Sequence, residues 1–240
     1  MLFKVVYALF DDGNQSVKKA LEPLGYEVYS FGIQKKDTVI YCDLTDIEDF
    51  FDKAKELPKP DYIFANPPCE TFSNAQLATY EKGGVGNMYY YLDGTPITDF
   101  DDWVTTTSAN IKRMKRDKKE YFEQLQIKRN ISEKLHKNTD IIVEHYGVPA
   151  VIENPRTSYC WKMFHDEDFL ELTCTNYNNY DESFTKKPTT FANNFDLVLD
   201  QSNKKAKVTT TKEVRNYNKR SAVPKELIIE IIKQMEEKRC

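Results

Sequence analysis

The chain has 240 residues, 40% of them apolar and 30% charged, and a net charge of −4; it is long enough to bury a sizeable core as one domain. No apolar run approaches a membrane span, and Met1–Tyr7, with a lysine inside it, is too short and mixed for a signal peptide, so a cytoplasmic protein is expected. Five cysteines (Cys42, Cys69, Cys160, Cys174, Cys240) are odd in number and lack a C-x-x-C pair, and His136, His145 and His165 do not cluster with them in sequence, so neither a disulfide framework nor a metal site is expected.

The net charge hides an asymmetry. Residues 1–102 hold 18 acidic and 9 basic side chains, whereas residues 103–240 hold 20 acidic and 25 basic. A polyanion is expected to meet the second part.

In chain order, Phe3 to Phe10 reads as a strand and Asp11-Asp12-Gly13-Asn14 as a turn. A short helix opens at Val17 and is stopped by Gly25. Glu27–Phe31 and Thr38–Tyr41 read as strands, and Asp46 caps an amphipathic helix ending before Pro58. Asp61–Ala65 is a buried strand. Strands separated by helices predict an α/β fold with a doubly wound, mostly parallel sheet and ligands at the strands' carboxyl ends. Residues 81–103, with the glycine-rich Gly83–Asn87 and the aromatic run Met88–Leu92, break the pattern and read as a mobile loop or a surface insertion. Asn110 to Tyr146 is charged and helical, with a possible break at Asn130–Glu133. It opens with six basic residues in eight positions (Lys112, Arg113, Lys115, Arg116, Lys118, Lys119), either a solvated face or a phosphate-contacting one. Val151–Glu153, Phe169–Cys174 and Thr189–Phe191 read as strands, and Lys204–Arg220 is again basic. A last helix from Pro224 has an apolar face of Leu227, Ile228, Ile231, Ile232 and Met235.

Two stretches carry the chemistry. Tyr62-Ile63-Phe64-Ala65 ends at Asn66-Pro67-Pro68-Cys69, where two prolines fix the backbone and deliver a thiol at a strand end. Such a thiol is a candidate nucleophile, or a half-buried cysteine after a turn. Val151-Ile152-Glu153-Asn154-Pro155-Arg156 is a second strand ending in a carboxylate and a proline. Glu153 is a proton donor or a strand-end carboxylate accepting backbone hydrogen bonds.

Asn-Pro-Pro-Cys with the following Phe72-Ser73, and Ile-Glu-Asn-Pro about eighty residues later, resemble motifs IV and VI of the DNA cytosine-5 methyltransferases, nearest to short phage-type members. Arg220-Ser221-Ala222-Val223-Pro224 resembles motif X. The resemblance implies one Rossmann-like, S-adenosylmethionine-dependent methyltransferase domain over 1–240. A mobile insertion would lie at 81–120 and a reduced recognition lobe at 170–220. It implies Cys69 as the thiolate adding to cytosine carbon 6, and Glu153 as the carboxyl serving ring nitrogen 3. Lys187 would stand where motif VIII usually has arginine. Asn66, Pro68, Ser73, Asn154 and Arg156 would contact the base or its strand. Phe10, Asp11, Gly13, Asp43, Leu44, Pro67, Ser221 and Val223 would line the S-adenosylmethionine pocket, and double-stranded DNA would be the partner.

The sequence departs from the family at the donor pocket. The turn keeps one glycine where the family has two or more, and Gly32 stands where a ribose-binding carboxylate is expected. Asp11 or Asp12 is a candidate substitute, and a carboxylate introduced at Gly32 is expected to tighten donor binding. The rival reading is a non-enzymatic DNA- or protein-binding module on the same fold, anti-restriction or regulatory in role. An amino-methyltransferase fits less well, because those enzymes carry an aromatic where Cys69 stands.

Overall fold

In the computed structural model, residues 3–73, 88–91, 93–106, 115–165, 170–207 and 222–238 are described. Among them, no helix is long and apolar enough to cross a membrane. The chain forms two compact units. The first comprises Met1–Pro67, Asn138–Arg156 and His165–Cys240, and the second Pro68–Lys137 and Thr157–Phe164.

The first unit is built on β1 (Val5–Leu9), whose five residues Val-Val-Tyr-Ala-Leu are all buried. β-branched and large apolar residues without alternation suit a strand covered on both faces. β1 pairs in parallel with β2 (Glu27–Gly32) on one side and β4 (Tyr62–Ala65) on the other. β3 (Val39–Tyr41) extends the sheet beyond β2, and β5 (Ala150–Pro155) beyond β4, both in parallel. β7 (Pro188–Asn193) then runs antiparallel to β5, with β6 (Glu171–Asn176) antiparallel at its outer edge. The seven-stranded order β3-β2-β1-β4-β5-β7-β6 is the doubly wound, mostly parallel, Rossmann-like sheet expected from the sequence. Within the segment expected as a reduced recognition lobe, 170–220, residues 170–207 are described and supply β6 and β7 to this sheet.

Side chains at alternate positions of β1 leave on opposite faces. Val6 and Ala8 meet α1 (Ser16–Leu21) through Val17, Ala20 and Leu21, together with the apolar stripe of α5 (Lys225–Lys238). On the other face Tyr7 packs against Phe31 and Tyr146 at 5.1 and 5.6 Å between ring centroids, and Phe31 against Phe50 of α2 (Ile47–Ala54) at 5.1 Å. The Asp46 carboxylate accepts from the amides of Glu48 and Asp49, capping α2. Gly25 adopts φ 89 after the Glu22–Leu24 turn, the left-handed conformation that ends a helix.

In the second unit, Phe72, Tyr89, Tyr90, Trp103, Phe122, Leu125 and Tyr159 form an aromatic core. Phe72 and Tyr90 stack at 5.5 Å, and Tyr90 and Tyr159 at 5.9 Å. Tyr89 and Tyr90, expected in a mobile loop, are therefore core residues, while residues 81–87 of that loop lie outside the described residues. A helix that the sequence did not suggest, α3 (Phe100–Thr106), contributes Trp103. The long α4 (Lys118–Tyr146) runs without the break expected at Asn130–Glu133. Ser132 is accommodated because its hydroxyl donates to the Lys128 carbonyl one turn back, at 3.0 Å.

Ile231 has no exposed surface and sits at the centre of the α5 stripe. Ile231→Ala is expected to cost about 2–5 kcal/mol in denaturant unfolding; a loss below 1 kcal/mol would contradict this packing.

Candidate active site

Parallel strands share one carboxyl edge, and the antiparallel β7 begins at that same edge. Glu153 and its two partners meet there for that reason. Glu153 faces Phe191 across the β5–β7 ladder and is 7% exposed. Tyr177 follows the end of β6, and its hydroxyl donates to Glu153 Oε1 at 2.9 Å. Lys187 directly precedes β7; its ammonium lies 3.4 Å from the same oxygen and 4.5 Å from the centre of the Tyr177 ring. Glu153 Oε1 is thus held by a hydroxyl and a cation, while Oε2 has no partner among the described residues.

Asn154 is fully buried, and its amide nitrogen donates to the Pro67 carbonyl at 3.0 Å. This bond ties the exit of β4 to the end of β5. Its Oδ1 has no partner among the described residues. The Asn66 amide donates to the Leu9 carbonyl at 3.1 Å, and Pro67 is buried. The Arg156 amide donates to the Pro188 carbonyl, and its side chain is exposed.

Pro68, exposed, and Cys69, half-buried, open the second unit. The Cys69 carbonyl accepts from the amides of Phe72 and Ser73 at 3.1 and 2.8 Å, so the thiol sits at the head of a tight turn anchored by the buried Thr71 and Phe72. Next to it, Glu70 pairs with Lys128 on the rim of a groove of about 520 Å³ lined by Met88, Tyr89, Tyr121 and Ile131. Arg116 lies over the Tyr121 ring at 3.3 Å, and Lys115 and Lys119 are exposed. Lys112 and Arg113 lie outside the described residues. Still within this unit, His136 and Cys160, 24 positions apart, bring potential ligand atoms within 4.8 Å of each other.

At the carboxyl ends of β1 to β3, Phe10 takes the left-handed conformation (φ 62), as does Gln15 (φ 52). Gln15 gives the start of α1 no side-chain cap. Asp11, 4% exposed, does so from four residues upstream. Its Oδ1 accepts from the Val17 amide, and its Oδ2 from the Lys18 amide and the Ser30 hydroxyl. Burial pushes its carboxyl up to about 6 despite these donors. The Asp12 carboxylate turns the other way, and Oδ2 accepts from the amides of Ile33 and Gln34 at 2.9 and 3.0 Å. Gly13 is half-buried beside Gln34. Asp43, beyond β3, is exposed; its Oδ1 accepts from the Thr45 amide and hydroxyl. Leu44 is buried, and its carbonyl accepts from Asn138 at 2.8 Å. The Val223 amide donates to the Ser16 hydroxyl at 3.3 Å, bringing the segment before α5 to this turn; Ser221 lies outside the described residues.

The sequence therefore named Glu153 and Lys187 from separate stretches that the fold joins. It missed Tyr177, which opens a single 3-10 turn 24 residues away with no local signal. It did not choose between Asp11 and Asp12. The expected gain from a carboxylate at Gly32 has no room, because a Cβ there would lie 2.4 Å from Asp12 Cβ and Cγ.

The sequence matches no protein-family model and no curated protein. Among solved structures it is similar to the Dnmt2 methyltransferase of S. pombe, with TM-score 0.42 and 10% identity over 90% of this chain and 60% of that one. It is also similar to the Entamoeba histolytica methyltransferase EhMeth, with TM-score 0.41 and 10% identity over 86% of this chain and 58% of that one. The chain spans less than two thirds of either protein.

Asp11 yields a pH prediction. Its folded pKa, about 6, lies above the ordinary 3.8, so the folded state holds the proton more tightly than the unfolded chain. The stabilisation is present below pH ~4 and is lost as pH rises through ~6, in total about 3 kcal/mol. Unfolding free energy from pH 4 to 7 should fall in the wild type relative to Asp11→Asn. Parallel curves for the two would contradict the assignment.

Proposed function

We propose that the chain transfers a methyl group from S-adenosylmethionine to carbon 5 of cytosine in double-stranded DNA, with Cys69 as a transient covalent nucleophile. The observation that carries this reading is Glu153. It is a nearly buried carboxyl at the carboxyl end of β5, held on one oxygen by Tyr177 and Lys187 and open on the other. The neighbouring parallel strand runs on through Asn-Pro-Pro into Cys69.

Cytosine carbon 5 is a weak nucleophile. The Cys69 sulfur forms a bond to ring carbon 6, and the electron pair of the carbon 5–carbon 6 double bond moves onto carbon 5. A thiol serves because it is a strong nucleophile with a few per cent thiolate at neutral pH. Charge accumulates on the ring as the bond forms, and a proton on Glu153 Oε2, shared with ring nitrogen 3, offsets it. Tyr177 and Lys187 fix the carboxyl's rotation through Oε1, and Lys187 brings a positive charge toward the pyrimidine carbonyl oxygen. After carbon 5 is alkylated, loss of its proton to water returns an electron pair to the ring and expels the thiolate. The base leaves the duplex to reach such groups, with phosphate contacts from the basic run that includes Lys115 and Lys119.

The edge formed by β1 to β3 is the site we assign to the adenosyl ligand. The Phe10–Gly13 turn, Asp43, Leu44, Pro67 and Val223 would hold it, with Ser221 expected alongside. When bound, S-adenosylmethionine supplies an electrophilic methyl group on a sulfonium centre. The rival reading, a non-catalytic binding module, is favoured by the weakened donor site, the single-glycine turn and Gly32; the Asp12 carboxylate standing over Gly32 answers the second of these.

Duplex DNA carrying 5-fluorocytosine should form a denaturation-resistant adduct with the wild type in the presence of S-adenosylmethionine, because fluorine cannot leave as a proton does. Cys69→Ala should form none. No adduct with the wild type, or an equal yield from Cys69→Ala, would overturn the proposal.

A further inference from the structure

Asp12 and Gly32 form one device. Leu9 of β1 lies level with Phe31 of β2, so the turn leaving β1 runs beside the end of β2. The left-handed Phe10 turns the chain so that the two consecutive carboxylates part: Asp11 faces α1, and Asp12 faces the backbone beyond β2. The Asp12 side chain occupies the space a Cβ at residue 32 would need, 2.4 Å from its Cβ and Cγ and 2.5 Å from its Oδ2. Gly32 is not among the glycines with positive φ, so glycine there makes room for Asp12 and is not demanded by its own backbone conformation.

Asp12 is also fixed in direction. Two backbone amides saturate Oδ2. The Lys36 ammonium donates to the carbonyls of Asp12 and Gly13, holding the turn closed. Oδ1 has no partner among the described residues, and the side chain is half-buried. A half-buried carboxylate at a strand's carboxyl end, with one oxygen pinned and one open, is an acceptor for a hydroxyl. Nucleoside sites of doubly wound sheets use such a group on the ribose.

We propose that Asp12 Oδ1 accepts from the ribose diol of the adenosyl ligand, the carboxylate being supplied by the turn after β1 while position 32 is kept bare for it. The inference rests on the adenosyl ligand of the proposed function. It chooses Asp12 over Asp11, whose carboxylate is spent on α1 and Ser30.

Calorimetry on the full chain tests it, with S-adenosylhomocysteine and its 2′,3′-dideoxy analogue as the two probes. The wild type should prefer the diol form by about 10- to 150-fold, the range of a hydrogen bond to a charged group. Asp12→Ala, and the isosteric Asp12→Asn in case the first unfolds, should lose most of that preference. Gly32→Asp should weaken the diol form instead of tightening it, and the double exchange Asp12→Gly, Gly32→Asp should restore part of the preference. Equal binding of the two probes by the wild type, or no binding of either, overturns the inference. So does a preference that survives both Asp12→Ala and Asp12→Asn. Asp12-dependent preference without a 5-fluorocytosine adduct would uphold Asp12 and remove the cytosine reading. An adduct with Asp12-independent preference would do the reverse.

Discussion

The first unit depends on burying β1 completely. A strand paired on both edges and covered on both faces reaches no water along its length, so every polar group just beyond it must find a partner at the carboxyl edge. Phe10 accepts a left-handed conformation that costs a non-glycine residue about 1–2 kcal/mol, and this allows Asp11 and Asp12 to serve different neighbours. Asp11 satisfies amides at the head of α1 that Gln15 leaves bare, and it also binds Ser30 on β2. Helix, turn and neighbouring strand are thus locked by one buried carboxyl, and Asp12 is directed to the end of β2.

Strand direction supplies the other half of the edge. β7 runs against β5, so its start, and with it Lys187, lies where the parallel strands end; β6 runs with β5, so Tyr177 beyond its end lies there as well. Three residues remote in sequence are gathered by the reversal of one strand. The hydroxyl and the ammonium compensate a carboxyl that is 7% exposed; burying it without such partners would cost several kcal/mol.

Much of this architecture was legible in the sequence because local physics decided it. The run Tyr62–Ala65, the Asp46 cap and the stripe Leu227–Met235 each follow from burial or capping chemistry that a few neighbouring residues specify. The break expected at Asn130–Glu133 did not occur, since Ser132 bonds back to Lys128 inside α4. The aromatics Tyr89 and Tyr90 lack a recognisable period yet are buried, because Phe72, Trp103 and Tyr159, distant in sequence, close over them. Around Glu153 the sequence identified the carboxyl and the lysine but not Tyr177, and at the other end of the edge it offered two aspartates without distinguishing them. Both choices are made by contacts between elements, which no single stretch records.

Nucleoside analysis of the product tests methyl transfer to cytosine carbon 5. Cytosine-containing duplex DNA would be incubated with the chain and methyl-labelled S-adenosylmethionine, digested to nucleosides and resolved by mass. Label is expected in 5-methyldeoxycytidine. Label in N4-methyldeoxycytidine, or DNA that stays unlabelled while the adenosyl ligand is bound, would contradict it.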